Sequence, residues 1–195
     1  MKSVKNLLKD VEVNEIINSV SRSWQWFFSY PGARIGLSDL AKSISSSKTS
    51  TKEAVEYLLK IGFLTREIIG KAWLLTANQK HSLFISKKIP YNLSNIYESG
   101  IVESVHATFP SSRAIVLFGS YRWGTDTENS DIDIAVEVIG DFNLKIINIG
   151  IIKEFGYRKN VPVNLHIFSR NKIDLNLFSN IANGIVLDGF LEVKI

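Results

Sequence analysis

Apolar residues recur at helical spacing through the start of the chain. Val13, Ile16, Ile17, Val20, Trp24, Phe27 and Phe28 fall on one stripe, which predicts a helix ended by Tyr30-Pro31-Gly32. Leu37, Leu40, Ala41 and Ile44 predict a second, shorter helix with Ser38 as its N-cap. After a polar turn over 45–48, Ala54, Val55, Leu58 and Leu59 mark a third helix, capped by Thr49, Ser50 or Thr51 and stopped by Gly62. Residues 63–76 are β-rich, with Ile69-Gly70-Lys71 as a tight turn between two strands. Further along, Leu93, Ile96, Tyr97, Ile101, Val102 and Val105 predict one helix over 92–109. Buried strands are expected at 113–118, from 131 and over 161–168, and helices over 144–155 and 170–183. An apolar run over 185–193 ends the sequence.

The segments around Pro90 and Pro110 are the candidate punctuation, and a division into 1–90 and 91–195 is expected. Charge sharpens that division. The net charge of +4 is mild, but residues 1–90 carry 14 Lys and Arg against 7 Asp and Glu, and 91–195 carry 9 against 12. A basic first half and an acidic second half suit modules with different partners, although uneven surface solvation gives the same figures. The absence of cysteine excludes disulfides, thiolate metal sites and a cysteine nucleophile. The longest uncharged stretch, 175–187, is too short to span a bilayer, and the N-terminus lacks the apolar run of a signal peptide. A cytoplasmic protein without a membrane partner is the expectation.

Three helices followed by a β-hairpin is the order of a winged helix-turn-helix. Leu58-Leu-Lys-Ile-Gly-Phe-Leu64 resembles the recognition-helix-to-wing junction of that family. The resemblance implies that Lys48, Thr49, Ser50, Thr51 and Lys52 meet DNA, lysines on phosphates and hydroxyls on phosphates or base edges. Lys71 at the wing tip would reach the adjacent backbone. Such modules also serve in protein interaction and dimerisation, and Glu53 and Glu56 would oppose phosphate. Trp24, Trp26, Phe27 and Phe28 are read as core or dimer packing, so a homodimer stays open.

The second half carries the chemistry, in Phe118-Gly-Ser-Tyr-Arg-Trp-Gly-Thr-Asp-Thr-Glu-Asn-Ser-Asp-Ile-Asp-Ile-Ala-Val136. A strand ends at Gly119-Ser120, where a glycine admits a phosphate close to the backbone and a hydroxyl and free N–H groups can donate to it. Asp131-Ile-Asp133 opens the next strand. Period two places Asp131, Asp133 and Ala135 on one face, and Ile132, Ile134 and Val136 on the other. Two converging carboxylates repel each other without a cation, and hard oxygen ligands suit Mg²⁺. A phosphate cradle beside such a pair implies phosphoryl or nucleotidyl transfer.

The pattern Gly-Ser-(x)3-Gly-(x)5-Ser-Asp-x-Asp resembles the polymerase-β-type nucleotidyltransferases, closest to the minimal prokaryotic ones, over residues 92–195. The resemblance implies an α+β chain: a winged helix followed by a small mixed-sheet nucleotidyltransferase domain. It implies that Gly119 and Ser120 bind the nucleotide's phosphates, with ATP the first candidate, and that Asp131 and Asp133 ligate Mg²⁺. Ser130 precedes the first Asp as in the family, and Gly124 matches the loop glycine. Where the family often has Ala-Arg, this chain has Arg122-Trp123, which leaves Arg122 a candidate phosphate contact. The family's third carboxylate is missing, because Asn164 falls at its expected place and cannot act as a base. His166 on the same strand face, a carboxylate such as Glu137 or Glu154, or binding without efficient transfer would each account for that. His81 and His106 lack metal-ligand spacing.

Two functions follow from the resemblances. One is Mg²⁺-dependent transfer of a nucleoside monophosphate from an NTP to a hydroxyl on a protein or small molecule; in the minimal family the acceptor is often a toxin encoded next door. The other is a winged-helix DNA-binding regulator with a degenerate nucleotide-sensing domain.

Overall fold

The computed structural model describes residues 4–193, with side chains from Asn14 onward. The chain divides into two compact units, Met1–Phe84 and Ile85–Ile195.

In the first unit, helix α1 (Val4–Ser29) is followed by a short strand β1 (Arg34–Gly36) and helix α2 (Leu37–Ser43). Helix α3 (Lys48–Lys60) then leads to the hairpin β2 (Leu64–Ile69) and β3 (Ala72–Ala77). The antiparallel sheet has the order β1-β3-β2. Gly62 at φ +78° ends α3, and Gly70 at φ +61° makes the hairpin turn beside Lys71. Aromatic rings fill the core: Trp24 stacks on Phe63 at 4.5 Å, and Phe84 stacks on Phe63 at 5.7 Å. Trp26, Phe27 and Phe28 are buried as well. The caps differ from those expected. Gly36, not Ser38, precedes α2 without a side-chain bond, and Ser47 caps α3 by accepting from the Ser50 N–H at 3.0 Å.

The second unit carries most of helix α4 (Ser82–Glu98), then α5 (Ile101–Thr108), β4 (Ala114–Phe118), α6 (Gly119–Trp123) and β5 (Ile132–Glu137). A long hairpin, β6 (Lys145–Phe155) and β7 (Arg158–Phe168), precedes a 3-10 turn at Arg170–Lys172, helix α7 (Leu175–Ala182) and strand β8 (Ile185–Gly189). The sheet has the order β6-β7-β5-β4-β8, with only β5 and β7 parallel. One face carries Ile115, Leu117, Ile132, Ile134, Val136, Val161, Val163 and Leu165 against Ile96 of α4 and Ile101, Val102 and Val105 of α5. The other carries Val116, Phe118, Ala135 and Phe168 against Ile181 of α7.

Four expectations are corrected here. Pro90 lies inside α4 rather than at a boundary, because the buried positions Lys88, Asn92 and Ile96 keep one helix face packed through it. The single helix over 92–109 is two, divided at Gly100 in the left-handed region at φ +71°. The helix over 144–155 is strand β6. Its isoleucines are β-branched, and a hairpin turn at Gly156 (φ +58°) pairs the segment with β7 over its length. The helix over 170–183 shrinks to α7, where Asp174 caps by accepting from the Asn176 and Leu177 N–H groups.

Among the described residues no helix is long and apolar enough to cross a membrane.

Candidate active site

Sheet register assembles the candidate residues. Phe118 lies opposite Asp133 on the neighbouring antiparallel strand, and Asp133 lies beside Asn164 across the parallel pair β5 and β7. Ala135 is likewise beside His166. Asp131, Asp133, Asn164 and His166 therefore share one region of one sheet face, while Ile132, Ile134 and Val136 enter the core on the other. Asp131 is exposed, and Asp133, Asn164 and His166 are half-buried.

Gly119 sits between the end of β4 and the start of α6 with φ +69°. A Cβ there would come within 2.8 Å of Asp133 Oδ2. Glycine is thus required twice, by the left-handed backbone and by the approach of the carboxylate. Ser120 follows in the first turn of α6, half-buried. Gly124, at φ +68°, ends α6 and returns its N–H to the Ser120 carbonyl.

Hydrogen bonds tie the polar groups together. Asn164 Nδ2 donates to Asp131 Oδ2, and Asn148 Nδ2 on β6 donates to Asn164 Oδ1 at 3.3 Å. His166 Nε2 lies 3.2 Å from Asp133 Oδ1, and its ring packs edge-on against Phe118 at 4.8 Å. Asn164 faces the carboxylates from the position expected for a third one, but it offers them an amide rather than a charge. Among the described residues no group of three or more His, Cys, Asp or Glu side chains gathers as a metal cage. Of the substitute carboxylates, Glu137 lies at the other end of β5, buried beside Arg170 at 2.9 Å. Glu154 is exposed on β6, opposite Lys159 and away from Asn164.

Arg122 and Ser130 are placed differently from each other. The Arg122 Nε donates to the Asn183 carbonyl at 2.6 Å, and its guanidinium lies 3.7 Å over the half-exposed Trp123 ring. That ties it toward the α7–β8 turn. Ser130 Oγ accepts from the Thr127 N–H at 2.9 Å, which closes the loop just before Asp131.

A buried polar cluster that sequence reasoning missed holds this loop from below. Lys88 Nζ lies 3.1 Å from Asp126 Oδ2 and also donates to the Asp126 carbonyl. Asn92 Nδ2 donates to Asp126 Oδ1 at 2.7 Å and to the Tyr121 carbonyl at 3.2 Å. Arg158 donates to the Tyr121 hydroxyl and, at 2.7 Å, to the Ser130 carbonyl. Helix α4, helix α6, the 124–131 loop and β7 are thereby stapled together. Burial pulls the Lys88 ammonium below its ordinary range and pushes the Asp126 carboxyl up, each opposed by the other's charge. Burial also raises the Tyr121 phenol. The available signal was the spacing of Lys88, Asn92 and Ile96, which puts a cation and an amide on the apolar stripe of a helix.

The residues expected to meet DNA are divided. Lys48, Lys52 and Lys71 are exposed, with Lys52 3.7 Å from Glu56. Ser50 and Thr51 are buried and turned inward. Ser50 Oγ bonds Ser47 Oγ at 2.8 Å and Glu15 at 3.3 Å, and Thr51 Oγ1 donates to the Ser47 carbonyl at 2.8 Å. Contrary to expectation they do not face phosphates or base edges, because Ser50 fastens α3 to its cap and to α1, and Thr51 fastens it to the cap.

A glycine turn packed against a carboxylate strand, on a mixed sheet with helices on both faces, makes the second unit an α+β domain with its candidate site at the β4–α6 turn. Residues 98–187 match the family model described as nucleotidyltransferase domain, which supports general nucleotidyl transfer with a nucleotide as substrate. No curated protein matches the chain.

Proposed function

We propose that the second unit moves a nucleoside monophosphate from an NTP, ATP first among them, to a hydroxyl of a protein or small-molecule acceptor. The observation that carries this is Asp131 and Asp133 on one open sheet face beside the Gly119 turn. The donor set fits Mg²⁺: its charged ligands are hard carboxylate oxygens, and the missing Cβ of Gly119 keeps the space in front of Asp133 Oδ2 clear. Asp131 and Asp133 would hold the ion, which when bound neutralises the triphosphate and polarises the phosphorus under attack. Gly119 and Ser120 receive the phosphates. Asn164 and His166 orient the two carboxylates through the bonds described above.

Labelled NTP with Mg²⁺ and candidate acceptors tests this reading. Asp131→Ala and Asp133→Ala should each lower transfer by on the order of 100-fold or more, the loss of several kcal/mol of charge stabilisation. Transfer at the wild-type rate in the double variant would remove both residues from the chemistry.

A second reading is favoured by the neutral Asn164 beside Asp133 and by the exposed lysines of α3. In it the first unit is a winged helix-turn-helix that binds DNA, and the second senses a nucleotide. NTP binding without release of pyrophosphate, together with salt-sensitive DNA binding, separates it from the first.

A further inference from the structure

Asp131 and Asp133 are held in different ways. Asp133 is the second residue of β5, in register with Phe118 on one side and Asn164 on the other, so two ladders fix its backbone. Asp131 stands one residue before β5 begins and has no ladder partner. Asn164 steadies its side chain, but the ladders leave its backbone free. The bond from Arg158 Nη2 to the Ser130 carbonyl at 2.7 Å holds the peptide that leads into Asp131.

The same guanidinium reaches the other half of the site. Its Nη1 donates to the Tyr121 hydroxyl, and Tyr121 directly follows Ser120 in α6. The Tyr121 ring is buried and meets Phe155 edge-on at 5.4 Å. Phe155 pairs with Arg158 across the β6–β7 turn, so the turn, the ring and the guanidinium form one packed unit. A rigid planar group thus spans the Gly119 turn and the first carboxylate, with one terminal nitrogen on each. A lysine ammonium is a point charge on a flexible stem and would not set two acceptors at a fixed separation.

The burial of Arg158 also sets it apart. Its side chain is 6% exposed, yet among the described residues no carboxylate forms an ion pair with it; its acceptors are a phenol and a peptide carbonyl. The nearby Lys88 is already matched by Asp126. A buried cation is ordinarily paired, and the residue that follows Arg158's carbonyl acceptor is Asp131. We infer that Arg158 is a positioning residue for nucleotidyl transfer, which sets the backbone of Asp131 against the Ser120–Tyr121 turn and acts only through that carboxylate. The inference rests on the transfer reading above.

Mn²⁺ titrated alone into the full chain, as a paramagnetic stand-in for Mg²⁺, tests this without turnover. Asp131→Asn leaves Asp133 to hold the ion and should weaken binding by more than about tenfold, read by electron paramagnetic resonance. Arg158→Lys should weaken it about tenfold in protein that circular dichroism shows to be folded. Added to D131N, R158K should cost less than about twofold more, because its effect passes through Asp131. Tyr121→Phe keeps the ring and the Ser130 bond and should cost about threefold, the loss of one neutral hydrogen bond. Unchanged affinity in folded R158K, or an equal loss in the D131N background, overturns the positioning role and leaves the transfer reading standing. A wild-type chain that binds no Mn²⁺, or binds it indifferently to D131N, overturns both. If R158K does not fold, Y121F decides, and unchanged affinity there overturns the proposal.

Discussion

Gly119 is where one methyl group would be felt most. An alanine there must hold φ near +69° and bring its Cβ to 2.8 Å from Asp133 Oδ2. Gly119→Ala should destabilise the fold by about 1–2 kcal/mol and weaken NTP binding, read by thermal melting and nucleotide titration. Asn164→Asp tests the missing carboxylate. With Mg²⁺ it should raise transfer, and unchanged transfer would show that this position does not complete the site. Much of this was legible, because strand period is rigid: alternation alone put Asp131 and Asp133 on the face opposite Ile132 and Ile134. Ser50 and Thr51 were illegible for a related reason. A hydroxyl in a first helical turn reads the same whether it faces solvent or fastens the helix to its cap, and only the position of Ser47 decides.

Among the elements, the loop carrying Asp131 depends on a buried ion pair that composition did not reveal. Lys88 is 0% exposed and Asp126 3%, so removing one partner strands the other in the interior. Lys88→Met and Asp126→Asn should each destabilise the protein by about 3–5 kcal/mol, and the double variant should lose less than their sum; denaturant unfolding measures all three. Pattern reading failed most clearly at β6. Residues 145–155 carry isoleucines at spacings that suit either a helix or a bulged strand, and the bulge at Ile149 breaks the alternation that would have identified a strand. The compact strands β4 and β5 were readable because their core positions follow one period without interruption.

For the whole molecule, the charge asymmetry belongs with the two units, whose division falls within α4 between Phe84 and Ile85. If the first unit binds DNA through α3, log affinity should fall linearly with log salt. Neutralising Lys48 and Lys52 together should flatten that slope by about two, as measured by a fluorescence titration. The sheet order also constrains biosynthesis. Strand β4 is made early in the second unit, but its outer neighbour β8 follows only after β5, β6, β7 and α7. A ribosome adding about 5–20 residues per second leaves β4 half-paired for seconds, with Ala114 and Val116 awaiting β8. A transcript cut short before Ile185 would therefore yield a chain that holds every candidate site residue yet lacks the outer neighbour of β4, and such a product should be cleared by proteases rather than accumulate.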